Sequence, residues 1–175
     1  MPDSNKVYII GFMGSGKSTT GLKLATLLGW PFIDLDRSIE ERTGLSVPEI
    51  FSRHGEAWFR EVESETLRNL GSSTANGVIS TGGGTPCFGN NMDYMLETGL
   101  TIYLNLTPGQ LKSRLSGSKG ERPLIKDLGD DDLLRFIEDK LAIREKWYKR
   151  ASLCFNGFDT DVRLIYSQII SRLKI

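Results

Sequence analysis

The decisive stretch is Val7-Tyr8-Ile9-Ile10-Gly11-Phe12-Met13-Gly14-Ser15-Gly16-Lys17-Ser18. Val7–Ile10 is a short apolar run ending at a glycine, as suits a strand buried on both faces of a parallel sheet. Gly11–Ser18 fits Gly-x-x-x-x-Gly-Lys-Ser, the spacing of a phosphate-binding loop, and it stands between a strand and a helix, where such a loop must stand. Its glycines let successive backbone N–H groups turn inward around phosphate oxygens. The first turn of the next helix adds its partial positive charge, so Gly14, Ser15, Gly16, Lys17, Ser18 and Thr19 form the expected cradle. The Lys17 ammonium is placed to reach β- and γ-phosphates and the Ser18 hydroxyl to ligate Mg2+. The stretch predicts a bound nucleoside triphosphate without saying what is done with it.

Outward from this loop the chain alternates strands and helices. Residues 17–28 read as a helix with Leu22, Ala25 and Leu28 on one side and Gly29 as its stop. Residues 30–35 form a second strand, and a short helix after it stops at Gly44. Ser46-Val47-Pro48-Glu49 is a capping box with proline in the first turn, so another helix opens there. Residues 56–70 form a longer helix ending at Gly71, Val78–Ser80 a third strand and 101–106 a fourth. Helices at 108–115, 131–150 and 160–173 and a fifth strand at 152–156 complete the pattern. Such alternation predicts an α/β domain with a mostly parallel sheet, whose ligands bind beyond the carboxyl ends of the strands. Gly11, Asp36, Gly82 and Asn105 then share one rim. Residues 116–130 are glycine-rich, charged and weakly periodic, the mark of a functional or disordered loop.

The chain has 175 residues and a mass of 19.5 kDa, which predicts one domain over 1–175. Its 39% hydrophobic and 25% charged content excludes collagen-like, coiled-coil and largely disordered classes. Twenty-two basic residues balance 22 acidic ones, so neither nucleic acid nor an anionic membrane is expected as a bulk partner. Cys87 and Cys154 make no disulfide framework, no apolar run approaches a membrane span, and the N-terminus lacks a signal-peptide pattern. A cytoplasmic monomer is the expectation. His54 is the single histidine and cannot join a multi-histidine metal site.

Several polar residues stand in places that need a reason. Asp34 and Asp36, two apart on the expected second strand, leave one face at its carboxyl end, beside a triphosphate that they would repel. One could hold the water of Mg2+ and the other take a proton from an attacking hydroxyl; alternatively Asp36 caps the next helix. Gly82-Gly83-Gly84 ends the third strand with bare backbone N–H groups, or serves as a hinge. On the helix from Asp131 the stripe Leu134, Ile137, Leu141, Arg144, Tyr148 puts Arg144 in a core-facing slot, and a guanidinium there requires an anion. Arg60 lies at the margin of the Phe59/Val62/Thr66/Leu70 stripe, free for a ligand or paired with Glu63 one turn along. Together Arg60 and Arg144 suit a carboxylate or phosphate clamp. Arg122, in the irregular segment, could neutralise charge on a transferring phosphoryl group or simply be solvated.

In this combination the chain resembles the shikimate kinase family from Val7 to about Ala151. The matches are the loop Gly11–Ser18, Phe32-Ile33-Asp34-Leu35-Asp36, Gly55-Glu56 with Phe59-Arg60 and Glu63, Ser80-Thr81-Gly82-Gly83-Gly84, Arg122-Pro123-Leu124, and Arg144 with Tyr148. The resemblance implies a three-layer P-loop kinase fold, with a five-stranded parallel sheet flanked by helices. It also implies a substrate-binding region over about 33–62 and a mobile lid over about 116–130. It implies transfer from ATP, with Mg2+, to the 3-hydroxyl of shikimate in aromatic amino-acid biosynthesis. By position, Asp36 would hold the hydroxyl and act as base. Arg60, Arg144 and Gly82–Gly84 would bind the carboxylate, and Lys17 and Arg122 would serve the phosphoryl group. Ser18 would ligate Mg2+ with Asp34 in its outer shell, and Arg114 would lie near the adenine. The family's loop after the last strand usually carries a basic residue and a proline; Asn156-Gly157-Phe158-Asp159-Thr160-Asp161-Val162 has neither. A related small-molecule kinase such as a gluconate kinase, or a nucleotide-dependent switch, are the alternatives; no Asn-Lys-x-Asp guanine signature occurs.

Overall fold

Five parallel strands set the positions of everything else. In a computed structural model, which describes residues 5–117, 124–159 and 161–175, β1 (Asn5–Ile10) lies at the centre of the sheet. It pairs with β3 (Asn76–Ser80) on one side and β4 (Leu100–Asn105) on the other. The short β2 (Phe32–Asp34) and β5 (Leu153–Asn156) form the edges, giving the order β2-β3-β1-β4-β5. The connection from β1 runs past β3 to β2 and that from β3 runs past β1 to β4, so a crevice opens between them beyond their carboxyl ends.

Alternation along β1 separates two cores. Val7 and Ile9 pack with Leu24 and Ala25 of α1 (Lys17–Leu28) and Ile165 and Ile169 of α7 (Val162–Leu173). Tyr8 and Ile10 face the other way, onto α2 (Leu35–Thr43), α3 (Val47–Ser73), α4 (Asn91–Thr98), α5 (Pro108–Ser116) and α6 (Asp130–Tyr148). The three-layer α/β architecture expected from the sequence is therefore present.

Several boundaries differ from the sequence reading. On α1, Leu22 is 56% exposed, and the inward face is Gly21, Leu24 and Ala25. β2 covers only Phe32–Asp34 because the Asp34 side chain caps α2, so Asp36 lies in the first helical turn and not on a strand. The two helices expected across 46–70 are joined into α3, broken at Gly55, whose φ of 81° no ordinary helical residue adopts. His54, just before the break, stacks on Trp58 at 4.4 Å. On α6 the buried residue of the first turn is Leu133, not Leu134. The α4 helix and the 3₁₀ turn Thr85–Cys87 were not foreseen. Of the lid expected over about 116–130, residues 118–123 lie outside the described residues, while Ile125 in its second half is fully buried in the core.

Candidate active site

The phosphate loop is built as its glycines require. Gly11 (φ 148°) leaves β1 so close to β4 that a Cβ would sit 2.8 Å from the Leu104 carbonyl oxygen. Gly16, at φ 90° and ψ 20°, turns the chain into α1. The helical ladder starts where Thr20 N–H donates to the Gly16 carbonyl (2.9 Å), and Ser15 N–H donates to that of Phe12 (3.1 Å), so the loop ends at a helix N-terminus of the kind that cradles anions. Lys17 is folded back and 9% exposed, its Nζ donating to the carbonyls of Gly11 and Phe12, both at 2.9 Å. Arg114 Nη1 donates to the Ser15 carbonyl (3.1 Å) and Nη2 to that of Gly157 (3.0 Å), tying the loop to the segment after β5. The exposed Phe158 ring lies 5.3 Å from the Arg114 guanidinium carbon.

The helix cap that the sequence offered to Asp36 falls to its neighbour two residues before. Asp34, not Asp36, is the helix cap: its Oδ1 accepts from the N–H groups of Asp36 (3.1 Å) and Arg37 (3.3 Å). Its Oδ2 accepts from the Ser18 hydroxyl at 2.8 Å, and Ser80 Oγ lies 3.3 Å from Ser18 Oγ. Asp36 is thereby left for the cleft, facing Gly82. Burial, reinforced by the charges of Glu63 and Asp34 and opposed by Lys17, pushes its carboxyl up to about 6. Ser18, Asp34 and Ser80 offer oxygen donors only, and no cluster of three metal-binding side chains occurs among the described residues. That set fits Mg2+, which takes one or two protein ligands and fills its shell with water and phosphate oxygens.

Across the cleft of about 460 Å³, which spans the phosphate loop, both aspartates and Ser80–Gly83, runs the glycine stretch. Arg144 reaches it at Gly83, where a Cβ would be 3.4 Å from Nη1, and lies 5.5 Å over the Phe12 ring. Its slot on α6 called for an anion from protein or ligand, and among the described residues Arg144 forms no salt bridge with a carboxylate. Arg60 passes Gly84 so closely that a Cβ there would stand 2.5 Å from Nη2. The pairing alternative for Arg60 holds: Nη1 donates to Glu63 (2.8 Å), and Nη2 donates to Glu56 (3.2 Å). Glu63 itself is fully buried, with Oε1 accepting from the Thr85 hydroxyl at 2.6 Å. It was missed as a site residue, although the 59, 63, 66, 67 spacing places it on the inner face of α3. Gly14, Ser15 and Thr19 sit in the loop and first turn as expected. Arg122 lies outside the described residues.

A phosphate loop on a parallel sheet, with a half-buried aspartate and a guanidinium-flanked glycine run opposite it, defines a P-loop kinase of small molecules. The shikimate kinase family model matches residues 13–174. A shikimate kinase from Bacteroides thetaiotaomicron is 41% identical over 169 residues, 97% of this chain and 96% of that protein. One from Bacteroides fragilis is 45% identical over 150 residues, 86% and 83% of the two chains. The structure of shikimate kinase from Acinetobacter baumannii in complex with shikimate superposes with a TM-score of 0.83 at 32% identity, covering 98% of this chain and 93% of that one. The chain belongs to the shikimate kinase family.

Proposed function

We infer that the protein transfers the γ-phosphoryl group of ATP to the 3-hydroxyl of shikimate. The observation that carries this reading is Asp36, a carboxylate with a raised pKa between a phosphate cradle and an anion-binding glycine run. A base poised near the working pH is suited to accept a hydroxyl proton. Asp36 holds the acceptor hydroxyl and takes that proton as the phosphoryl group arrives. Arg144, Arg60 and the N–H groups of Gly82–Gly84 hold the acid's carboxylate, which aims the hydroxyl at Asp36. Lys17 exchanges the carbonyls of Gly11 and Phe12 for phosphate oxygens, cradled by the backbone from Gly14 to Thr19. Ser18 would ligate Mg2+ and Asp34 would hold its water shell, a site that would supply positive charge to the phosphates. Arg114 borders the base, and Arg122 serves the phosphoryl group.

The free thiols of Cys87 and Cys154 and the balanced charge suit a cytoplasmic monomer, built as one domain with the substrate region over about 33–62. No helix among the described residues is long and apolar enough to cross a membrane. Thermal melts with shikimate, gluconate or GMP test the acceptor. A ligand at a hundredfold its Kd stabilises by about 2.7 kcal/mol, or roughly 5–10 °C here. Shikimate is expected to give that shift and the others none; stabilisation by gluconate or GMP alone overturns the reading.

A further inference from the structure

The three carbonyls of the glycine run are held unequally. Gly82 O accepts from Thr85 N (3.2 Å) and Gly84 O from Cys87 N (2.9 Å), both bonds of the local 3₁₀ turn. Gly83 O accepts from the hydroxyl of Tyr148, 65 residues away on α6. That is the run's one tether to a distant element among the hydrogen bonds of the described residues. Three glycines in succession have no Cβ to restrict them and lose the most freedom on ordering, so a tether here decides the backbone's position. The carbonyl of Gly83 and the N–H of Gly84 share one planar peptide and point in opposite directions, so fixing the first aims the second.

Tyr148 is well made for the task. Its side chain is fully buried, and its ring packs 5.1 Å from that of Tyr103 on β4. Burial pushes its hydroxyl far above the ordinary tyrosine range, so it remains an O–H donor across the working pH. It also stands one helical turn from Arg144 on the same inward face of α6. One helix therefore carries both the guanidinium at Gly83 and the hydroxyl that grips Gly83.

We propose that Tyr148 is a positioning residue that sets the register between Arg144 and the Gly82–Gly84 backbone, and so sets affinity for the acceptor's carboxylate. The proposal rests on the reading that those two groups bind that carboxylate. Tyr148→Phe removes only the oxygen. Acceptor KM is expected to rise about tenfold, the effect of losing one buried hydrogen bond, while the KM for ATP stays within twofold. Tyr103→Phe is the control: it removes a tyrosine hydroxyl of the same aromatic pair, bonded to Asn105 Oδ1 at 3.1 Å, away from the glycine run. It is expected to leave acceptor KM unchanged. In an Arg144→Leu background, Tyr148→Phe should add little further loss, because the register it sets has lost one member. Titration of shikimate in the cold, where a destabilised variant stays folded, reads the same split. The proposal is overturned if Tyr148→Phe leaves acceptor KM unchanged, raises both KM values alike, matches Tyr103→Phe, or adds its full effect to Arg144→Leu. If Arg144→Leu itself leaves acceptor affinity intact, the carboxylate reading fails first, and that result is distinct.

Discussion

Replacing Asp36 with asparagine should slow the enzyme and stabilise it, and the stability gain should depend on pH. The carboxyl ordinarily titrates near 3.8 and here near 6, chiefly through burial, then through the charges of Glu63 and Asp34. Between those values the folded protein keeps a proton that the unfolded chain has released. Stability therefore falls as pH rises through this window, and the loss is complete above about 6. At about 1.4 kcal/mol per pH unit, the ionised carboxylate costs the fold about 3 kcal/mol at neutral pH. Asparagine keeps the shape without the charge, and the cap of α2 is untouched because Asp34 supplies it. At pH 8 the ligand-free variant should melt about 6–12 °C above the parent, with the gain vanishing below about pH 4. Its kcat should fall about 10²–10⁴-fold through loss of the base. For the parent, kcat/KM should rise with pH along a limb near 6 as Asp36 ionises. Melts from pH 4 to 8 beside kcat decide the matter. A pH-independent difference in melting, or asparagine destabilising at pH 8, refutes the electrostatic account; unchanged kcat removes Asp36 from the chemistry.

Arg144→Leu should leave ligand-free stability equal or higher, since Arg144 lacks a carboxylate partner among the described residues, while weakening shikimate binding by about 2–5 kcal/mol and sparing ATP; calorimetric titration beside melts checks this, and unfolding contradicts it. Gly84→Ala should drive Arg60 off its contact and break its pairs with Glu56 and Glu63, raising acceptor KM and lowering the melting temperature; steady-state kinetics that match the parent would contradict it. Lys17→Ala should keep the fold and remove most turnover at saturating ATP, and activity within a few-fold of the parent would refute its role.

Much of this site could be read from the chain because phosphate binding is local. Gly11 through Ser18 specify a loop whose function resides in consecutive backbone groups, and no distant partner is needed to recognise it. Arg144 was legible for a similar reason: a cation at a core position on an amphipathic helix is a contradiction visible from spacing alone. Which aspartate caps α2 was not legible. Whether β2 ends before or after Asp34 depends on which side chain caps α2, and period-two and helical patterns cannot separate them over three residues. The burial of Glu63 was hidden because glutamate on a helix reads as surface charge; its pair with Arg60 could be read from the spacing, but only the fold brings Thr85 to it. The Tyr148 tether was equally hidden, since it joins positions 65 residues apart and the stripe that buries the ring says nothing of the hydroxyl's partner. Helix α4 escaped because its eight residues, Asn91–Thr98, carry too short a pattern to stand out from the preceding turn.

The central claim is that the cleft joins ATP to the hydroxyl of a carboxylate-bearing acceptor held by Arg144 and the glycine run. Coupled ADP release, with product phosphate identified by NMR, tests it over a panel of shikimate, gluconate and GMP, with and without Mg2+. The account predicts Mg2+-dependent turnover with shikimate alone, forming shikimate 3-phosphate in a one-to-one ratio with ADP. Equal turnover with gluconate, or ADP release without phosphorylated acceptor, would contradict it.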